Sequence, residues 1–463
     1  MTEQLKLKLN DSKATRWGAL VIVAFTMMAA YYVNDVVAPL KTMLETDLAW
    51  SSTDFGFFTG GYSFLNVFFL MLIWGGLILD RFGIRFTGKL ATILMVGGTA
   101  LEYYAMTGLA GTDATLFGIN EIFGYKTGVF VAFAGYSIFG VGAEVAGITV
   151  SKIIAKWFKG KELATAMGVQ VALARIGSQA GYAVAIPLAR AFGISTPVLL
   201  GLVLLLGGMI AFFVFAVMDK KLDKQMEAAA IAAGTEDEEE KFSFKDVKNI
   251  LVNPGFWLIA LLCVLFYSCV FPFQKFASEL MIIKYGINEN VAGTFAGLPA
   301  LGALILTPVF GGFIDKRGKS ASIMLLGSAM LICVHFIYAI PDINYWLVAI
   351  VLMIILGIAF SLVPSAMWPA VAKIFPVSQL GTAYALIFFI QNIGLWGIPT
   401  LIGWVLDAYC ISGKKPDGTN MYDYTVPMCI FTGIACLSLI VALLLKKADK
   451  KYGYKLEEPN IQK

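Results

Sequence analysis

Two ionisable residues stand deep inside apolar runs: Glu144 in the stretch 128–154 and Arg175 in the next, 163–189. A charge at such depth in a lipid-embedded segment is costly, so it ordinarily faces a bundle interior or a wet cavity. Counted from the polar ends of the two runs, near Lys156 and Leu163, each side chain lies ~18 Å in at 1.5 Å per residue. Adjacent antiparallel helices therefore bring an acid and a base to one depth, near the middle of a ~30 Å hydrocarbon core. Two chemistries fit. In one, the groups form a buried ion pair that joins two helices and adds little net stability, because desolvation offsets attraction. In the other, they flank a wet cavity and grip the opposite ends of a zwitterion, the guanidinium fork taking a carboxylate bidentately. The two combine if the pair closes when empty and parts around a solute.

Other polar residues inside apolar runs extend the set. Gln391 and Asn392 offer amide donors and acceptors for peptide groups of a solute, or hydrogen bonds between helices. Trp368, between Pro364 and Pro369, is placed to wall a cavity with its indole N–H as donor. Tyr62 and Asn66, one turn apart, put two polar tips on one helix face. Asp35 follows Tyr31, Tyr32 and Asn34 toward the outer end of the first run. It reads as a helix-end carboxylate, as a residue lining the outer vestibule or, with Glu144, as a candidate for proton coupling. Lys275 and Glu279, at i and i+4, are expected to pair locally near the outer surface. The direction in which Glu102 faces is open, and His335, the single histidine, reads as a packed core residue.

The elements that carry these groups follow from composition. The 463 residues are 59% hydrophobic and 14% charged, with a mean hydropathy of +0.78. Soluble domains are nearer a quarter charged, so the balance points to a bilayer. Spanning runs fall at roughly 17–40, 55–79, 87–110, 128–154, 163–189, 196–218, 255–281, 290–314, 320–340, 343–372, 380–406 and 425–446. The tenth is expected to be interrupted by Pro364 and Pro369. The expectation is thus an all-α membrane protein of 12 helices, retaining its first helix as an anchor because no signal-peptide pattern precedes it. The divisions are a terminal segment 1–16, a six-helix bundle 17–218, a linker 219–252, a second bundle 253–446 and a tail 447–463. The linker holds the acidic run Glu236-Asp237-Glu238-Glu239-Glu240, read as solvated. With both termini cytoplasmic, 27 of the 35 Lys and Arg lie on the cytoplasmic side, six outside and two within spans, which satisfies the positive-inside rule. Net charge is +4 and the basic residues lie in separate loops, so no nucleic-acid partner is expected. One His, and six Cys without CxxC spacing, leave no material for a His-based metal centre or Ser-His triad, and no cofactor is expected.

The two bundles repeat one another. GGLILDRFGIR after the second run is echoed by GGFIDKRGKS after the eighth, with Gly76, Asp80 and Gly83 matching Gly311, Asp315 and Gly318. A second echo sets Leu163, Thr165 and Ala166 on Leu380, Thr382 and Ala383, and Arg175-Ile176-Gly177 on Asn392-Ile393-Gly394. Parallel repeats of this kind place a solute site near the midplane between the halves. The loop string G-x-x-x-D-R-x-G-x-R, here Gly76, Asp80, Arg81, Gly83 and Arg85, resembles the signature of the major facilitator superfamily. The second copy departs from it, with Lys316 and Lys319 in place of arginines. The resemblance implies the major facilitator fold in two pseudo-symmetric halves. It also implies that these loop residues, with Asp315 and Lys316, latch the cytoplasmic side in the outward-facing state.

A narrower resemblance, to the lysosomal dipeptide uniporters of that superfamily, rests on YSFLNVFF, GAEVAG, WFKGKELATAMGVQVALARIGS, VFPF, SAMWPAVA and QLGTAYALIFFIQNIG. It implies carriage of dipeptides, with Glu144 at the amino end and Arg175 at the carboxylate, and it favours uniport. The expectation is a non-enzymatic alternating-access carrier of dipeptides or similar zwitterions, acting as a monomer in a bacterial inner membrane. The rival within carriers is a transporter of small carboxylates, in which Arg175 alone is essential. A membrane enzyme or sensor is the remote alternative, for want of a nucleophile–base set or a soluble sensing domain.

Overall fold

The computed structural model describes residues 8–111, 114–158, 161–233 and 244–459; the acidic run 236–240 lies outside them. Helices dominate because a chain in hydrocarbon has no water to satisfy its peptide groups. In order they are α1 (Lys13–Val36), α2 (Lys41–Leu48), α3 (Ser52–Phe68), α4 (Met71–Thr107), α5 (Thr127–Trp157), α6 (Leu163–Phe192), α7 (Thr196–Ala233), α8 (Phe244–Val252), α9 (Pro254–Tyr285), α10 (Glu289–Ala296), α11 (Leu298–Arg317), α12 (Ser320–Ala339), α13 (Trp346–Ile374), α14 (Val377–Tyr409) and α15 (Thr425–Tyr452). Two small hairpins, β1–β2 (Glu121–Ile122, Tyr125–Lys126) and β3–β4 (Ile411–Lys414, Asn420–Tyr422), cover one face.

Among the described residues, nine helical stretches are long and apolar enough to cross a membrane; α3 and α4, bent by 58°, pass that test together. Inside α4 the chain turns at Gly83 (φ 73°, ψ 174°), so α3 with the first arm of α4 makes one crossing and the second arm another. Gly318 (φ 71°) ends α11 at the matching point of the second repeat, and at both places a side chain would be strained. With α6, 30 residues long, the order reaches the twelve crossings expected.

The helix pairings repeat. In the first half α1 packs on α6 and α7, α3 on the first part of α5, and α4 on α5 and α7; in the second, α9 packs on α14 and α15, α11 on α13, and α12 on α13 and α15. Every pair in one half has its counterpart in the other. α4 and α5 approach closely, so that a methyl added to Gly98 would stand 2.4 Å from Gly135 O and from Phe139 N.

Three expectations about elements are corrected. Pro364 and Pro369 do not interrupt α13, which runs unbroken, as helices packed within a membrane bundle tolerate proline. The linker does not begin at 219: α7 continues to Ala233 because Asp219, fully buried, accepts from Trp157 Nε1 (3.0 Å) and Lys156 Nζ (2.8 Å). The tail does not begin at 447 either. α15 runs on to Tyr452, Leu456 is buried, and the backbone of Leu456 and Glu457 accepts from Ser320 N (3.0 Å) and Lys319 N (3.1 Å).

The halves meet firmly at the face away from the 81–89 and 316–319 loops. There α3 lies on α14, and Asp407 of α14 accepts from the free N–H groups of Ser52 (3.3 Å) and Thr53 (2.6 Å) at the start of α3. Lys41, 1% exposed, bridges Glu45 of its own half and Glu279 of the other, each at 2.5 Å. Lys415 stands 3.6 Å from Glu45 and 3.5 Å from Glu279, to which Tyr424 also donates. Arg190 reaches across to Glu289 and to Asn290 (2.7 Å). Lys275 and Glu279 therefore do not pair with one another: each finds its partner in the first half, Lys275 with Asp35 (3.4 Å).

Two outcomes follow for this packing. Gly98→Ala should overpack the α4–α5 contact at a cost of about 1–3 kcal/mol and lower the melting temperature, whereas Gly97→Ala, whose added methyl meets nothing within 4 Å, should not; thermal unfolding of both in detergent checks this. Asp407→Ala removes an acceptor from a helix start, a loss of about 1 kcal/mol and so roughly fivefold in the balance between sealed and open states. Spin-label distances between α2 and the β3–β4 hairpin should then show a longer population, and an unchanged distribution would refute the tie.

Candidate functional site

Held together at one face, the halves diverge toward the other and enclose a cavity of about 1440 Å³ that reaches the motif loops. Its deep end is walled by Asn34, Tyr136 and Lys275, its middle by Tyr31, Tyr62, Glu144 and Arg175, and its mouth by Gly76, Asp80, Ser151 and Val247. The volume exceeds the ~300–1,000 Å³ of ordinary small-molecule pockets, as suits a cleft open to water.

Glu144 and Arg175 both line this cavity, as their common depth predicted, but they are not an ion pair. Glu144 Oε1 accepts from Tyr62 Oη at 3.1 Å. The Arg175 guanidinium lies 5.5 Å from the Tyr31 ring and 4.9 Å from the Phe360 ring, and no hydrogen bond or ion pair engages it among the described residues. Aromatic faces hold a cation in place electrostatically while leaving its planar donors unspent. Of the two readings from sequence, the resting ion pair is not what this state contains. Position on the helices explains the outcome: α5 and α6 touch only slightly, each packing instead on other partners, so the two side chains face a common space from separated walls.

The remaining expected residues divide. Trp368 and Gln391 line the cavity; Trp368 stacks on Phe388 (4.8 Å) and its carbonyl accepts from Tyr384, while Gln391 Oε1 accepts from Cys263 Sγ at 3.3 Å. Asn66 and Asn392 do not line it. Both are 1% exposed and turn back on their own helices, to Tyr62 O (3.5 Å) and Phe388 O (2.9 Å). Sharing a helix with a wall residue did not suffice, because an offset of one or four residues buries the tip between helices. Asp35 is also off the wall, held by Asn34 Nδ2 (2.8 Å) and Lys275. His335 is fully buried between Phe273 and Phe431, with Nε2 3.1 Å from Cys269 O, as a core histidine should be.

Wall residues not singled out from sequence include a set of rings in the second half: Tyr267, Phe271, Phe360, Tyr384 and Phe388. An aromatic in a hydrophobic run gives no sequence signal of which way it points. At mid-depth the first half supplies the charges Glu144 and Arg175 and the second supplies these rings, while Lys275 of the second half stands at the deep end.

At the mouth, the motif residues form a network inside the first half. Asp80 pairs with Lys152 (3.0 Å), and Arg85 with Asp223 (2.6 Å) and Asp219 (3.6 Å), which Lys156 also engages. Arg81 lies over the Phe82 ring, and Asp315 and Lys316 occupy the last turn of α11, before Gly318.

Comparison with known proteins agrees with this geometry. The sequence profile described as Major Facilitator Superfamily matches residues 20–399 and 276–458. The human protein named lysosomal dipeptide transporter MFSD1 is 29% identical over 454 residues, covering 95% of this chain and 88% of its own. The chicken protein of the same name is 33% identical over 287 residues, 59% of this chain and 62% of its own. Among solved structures, the nucleoside transporter NupG superposes with a TM-score of 0.68 at 11% identity, over 92% of this chain and 99% of that one. A bacterial homologue of the human lysosomal transporter Spinster, solved inward-facing and unoccupied, gives 0.61 at 14% identity, over 98% and 99%. The profile match extends over most of the sequence and takes in both the loop at Gly76–Arg85 and its second copy at Gly311–Ser320, and the chain belongs to the Major Facilitator Superfamily.

Proposed function

We propose that this carrier moves dipeptides, or zwitterions of similar size, by rocking its two halves about the central cavity. The observation that carries the reading is the pair of opposite charges facing one cavity, Glu144 anchored by Tyr62 and Arg175 with its donors unspent. An α-ammonium suits Glu144 and an α-carboxylate the Arg175 fork. These are the groups all dipeptides share, while their side chains would rest against Tyr267, Phe360 and Trp368 of the second half, an arrangement that favours broad selectivity. The similarity to proteins named lysosomal dipeptide transporters supports the same solute class.

On this reading the motif loops are cytoplasmic, in line with the Lys and Arg distribution, and the cell membrane of a bacterium is the setting. The state described is inward-open: ion ties seal the outer face, and the Asp80 and Arg85 network stays within the first half until the inner face closes. Closure would bring the two loop copies together as a latch. Asp35 and Glu144 remain candidates for proton coupling.

Truncating one partner of a buried charge contact costs about 2–5 kcal/mol, so Arg175→Ala and Glu144→Gln should each weaken dipeptide binding by about 30-fold or more by the same conversion. Counterflow of a labelled dipeptide in proteoliposomes measures this. Small monocarboxylates provide the contrast: if Glu144→Gln leaves their transport intact and dipeptides are not carried by the unaltered protein, the cargo is an organic anion and the zwitterion reading falls.

A further inference from the structure

Glu102 is an acid that neither the cavity wall nor the ion ties account for. It lies on the second arm of α4, fully buried, and both carboxyl oxygens lack a hydrogen-bond partner among the described residues. Its surroundings are tight: a methyl added to Gly135 of α5 would stand 2.9 Å from Glu102 N. The hydroxyl of Thr99, one turn before, is also buried and makes no hydrogen bond among the described residues. A carboxylate in such a place forgoes several kcal/mol of solvation, whereas a neutral acid forgoes far less.

Two titratable groups lie within electrostatic reach of Glu102, Lys275 of α9 and Tyr136 of α5. α7, also packed on α4, carries no titratable residue from 196 to 218. Both neighbours line the cavity. Lys275 Nζ donates to Tyr136 Oη (3.3 Å) and to Asn34 O (2.5 Å), and pairs with Asp35; Tyr136 Oη donates to Asn34 O (2.8 Å). Asn34, Tyr136 and Lys275 are the deep wall of the cavity.

We propose that Glu102 is a proton-binding site of the carrier, loaded while the outer face is open and emptied toward the cavity once that face is sealed. Lys275 belongs to the second half and Glu102 to the first. With the outer face sealed, Lys275 stands against the first half and its charge favours loss of the proton. When the halves part there, Lys275 withdraws with its own half, no cation remains within reach, and the proton is held more firmly. Affinity then alternates with access, high facing out and lower facing in. The step is a bare proton transfer: the Glu102 O–H bond breaks, its electron pair stays on the carboxylate, and the proton passes by the Tyr136 hydroxyl to cavity water. A solute that shifts the balance of the two states is thereby linked to proton movement. The inference rests on the carrier reading and concerns its energy coupling rather than its cargo.

The test uses the full chain in proteoliposomes with a pH-sensitive dye inside. Dipeptide added outside under an inward proton gradient should acidify the lumen, and a gradient of about one pH unit should drive up to about tenfold accumulation at one proton per solute. Glu102→Gln should abolish acidification and accumulation while dipeptide counterflow without a gradient persists. Gradient-driven accumulation retained in Glu102→Gln overturns the proposal. Counterflow by the unaltered protein with no lumen acidification also overturns it and leaves the dipeptide reading standing. If dipeptides show no counterflow, the cargo assignment fails instead, and a solute-free measurement decides the proton site. Infrared spectra across a pH titration should then show a protonated-carboxyl C=O stretch that Glu102→Gln removes; if no such band is lost in Glu102→Gln at any pH, the proposal is overturned.

Discussion

Lys41 sits buried between a carboxylate of its own half, Glu45, and one of the other, Glu279, and much of the molecule's shape depends on that junction. Two six-helix bundles can enclose a cleft only if something holds them together at one end and leaves the other free. Hydrophobic contact alone does this poorly in a bilayer, where lipid tails are as apolar as leucine. The sealed face instead concentrates ionic and helix-end bonds: the Lys41 bridge, Asp407 on the start of α3, Arg190 on Asn290, and Lys275 on Asp35. Each is directional and breaks over a short distance. A junction of this kind has two states, joined or parted, which is the property an alternating carrier needs.

The site shows how a duplicated fold acquires polarity. The repeat sets Arg175 opposite Asn392, and only the first half keeps a charge there. Asn392 has withdrawn from the wall to bond Phe388 O, leaving the second half to present rings and the Gln391 amide. Pseudo-symmetry thus governs where helices lie, while the chemistry of the cleft depends on the places where the copies differ. The loops at the open face follow the same rule. The first is tied by Arg85 to Asp219 and Asp223 on the extension of α7, and the second is held by the backbone of Leu456 and Glu457 beyond α15. In each half the sixth helix or the chain just beyond it fastens the loop, and in the second half the Glu457 carboxylate also accepts from Ser322.

The sequence carries the helical architecture plainly, since apolar length and the need to satisfy backbone groups leave few options, and the repeat made the halves visible. The depth of Glu144 and Arg175 was likewise readable by counting residues. Azimuth was not. Whether Asn66 or Tyr62 meets the cavity depends on a rotation set by neighbouring helices, and runs that are apolar all round give no face to read. Lys275 and Glu279 show the same limit: i and i+4 spacing suggested a local pair, yet stronger partners wait in the other half. The left-handed Leu70 that separates α3 from α4 has no cue in the residues around it.

The placement of Glu144 and Arg175 on the same half has an electrical consequence. When that half tilts, the two side chains travel together as a dipole with no net charge, so a membrane voltage does no net work on moving them. A zwitterion held between them adds none either. Voltage, worth about 2.3 kcal/mol per elementary charge at 100 mV, can then act only on charges that change sides singly. Lys275, alone on its half at the deep end of the cleft, is placed to be such a charge.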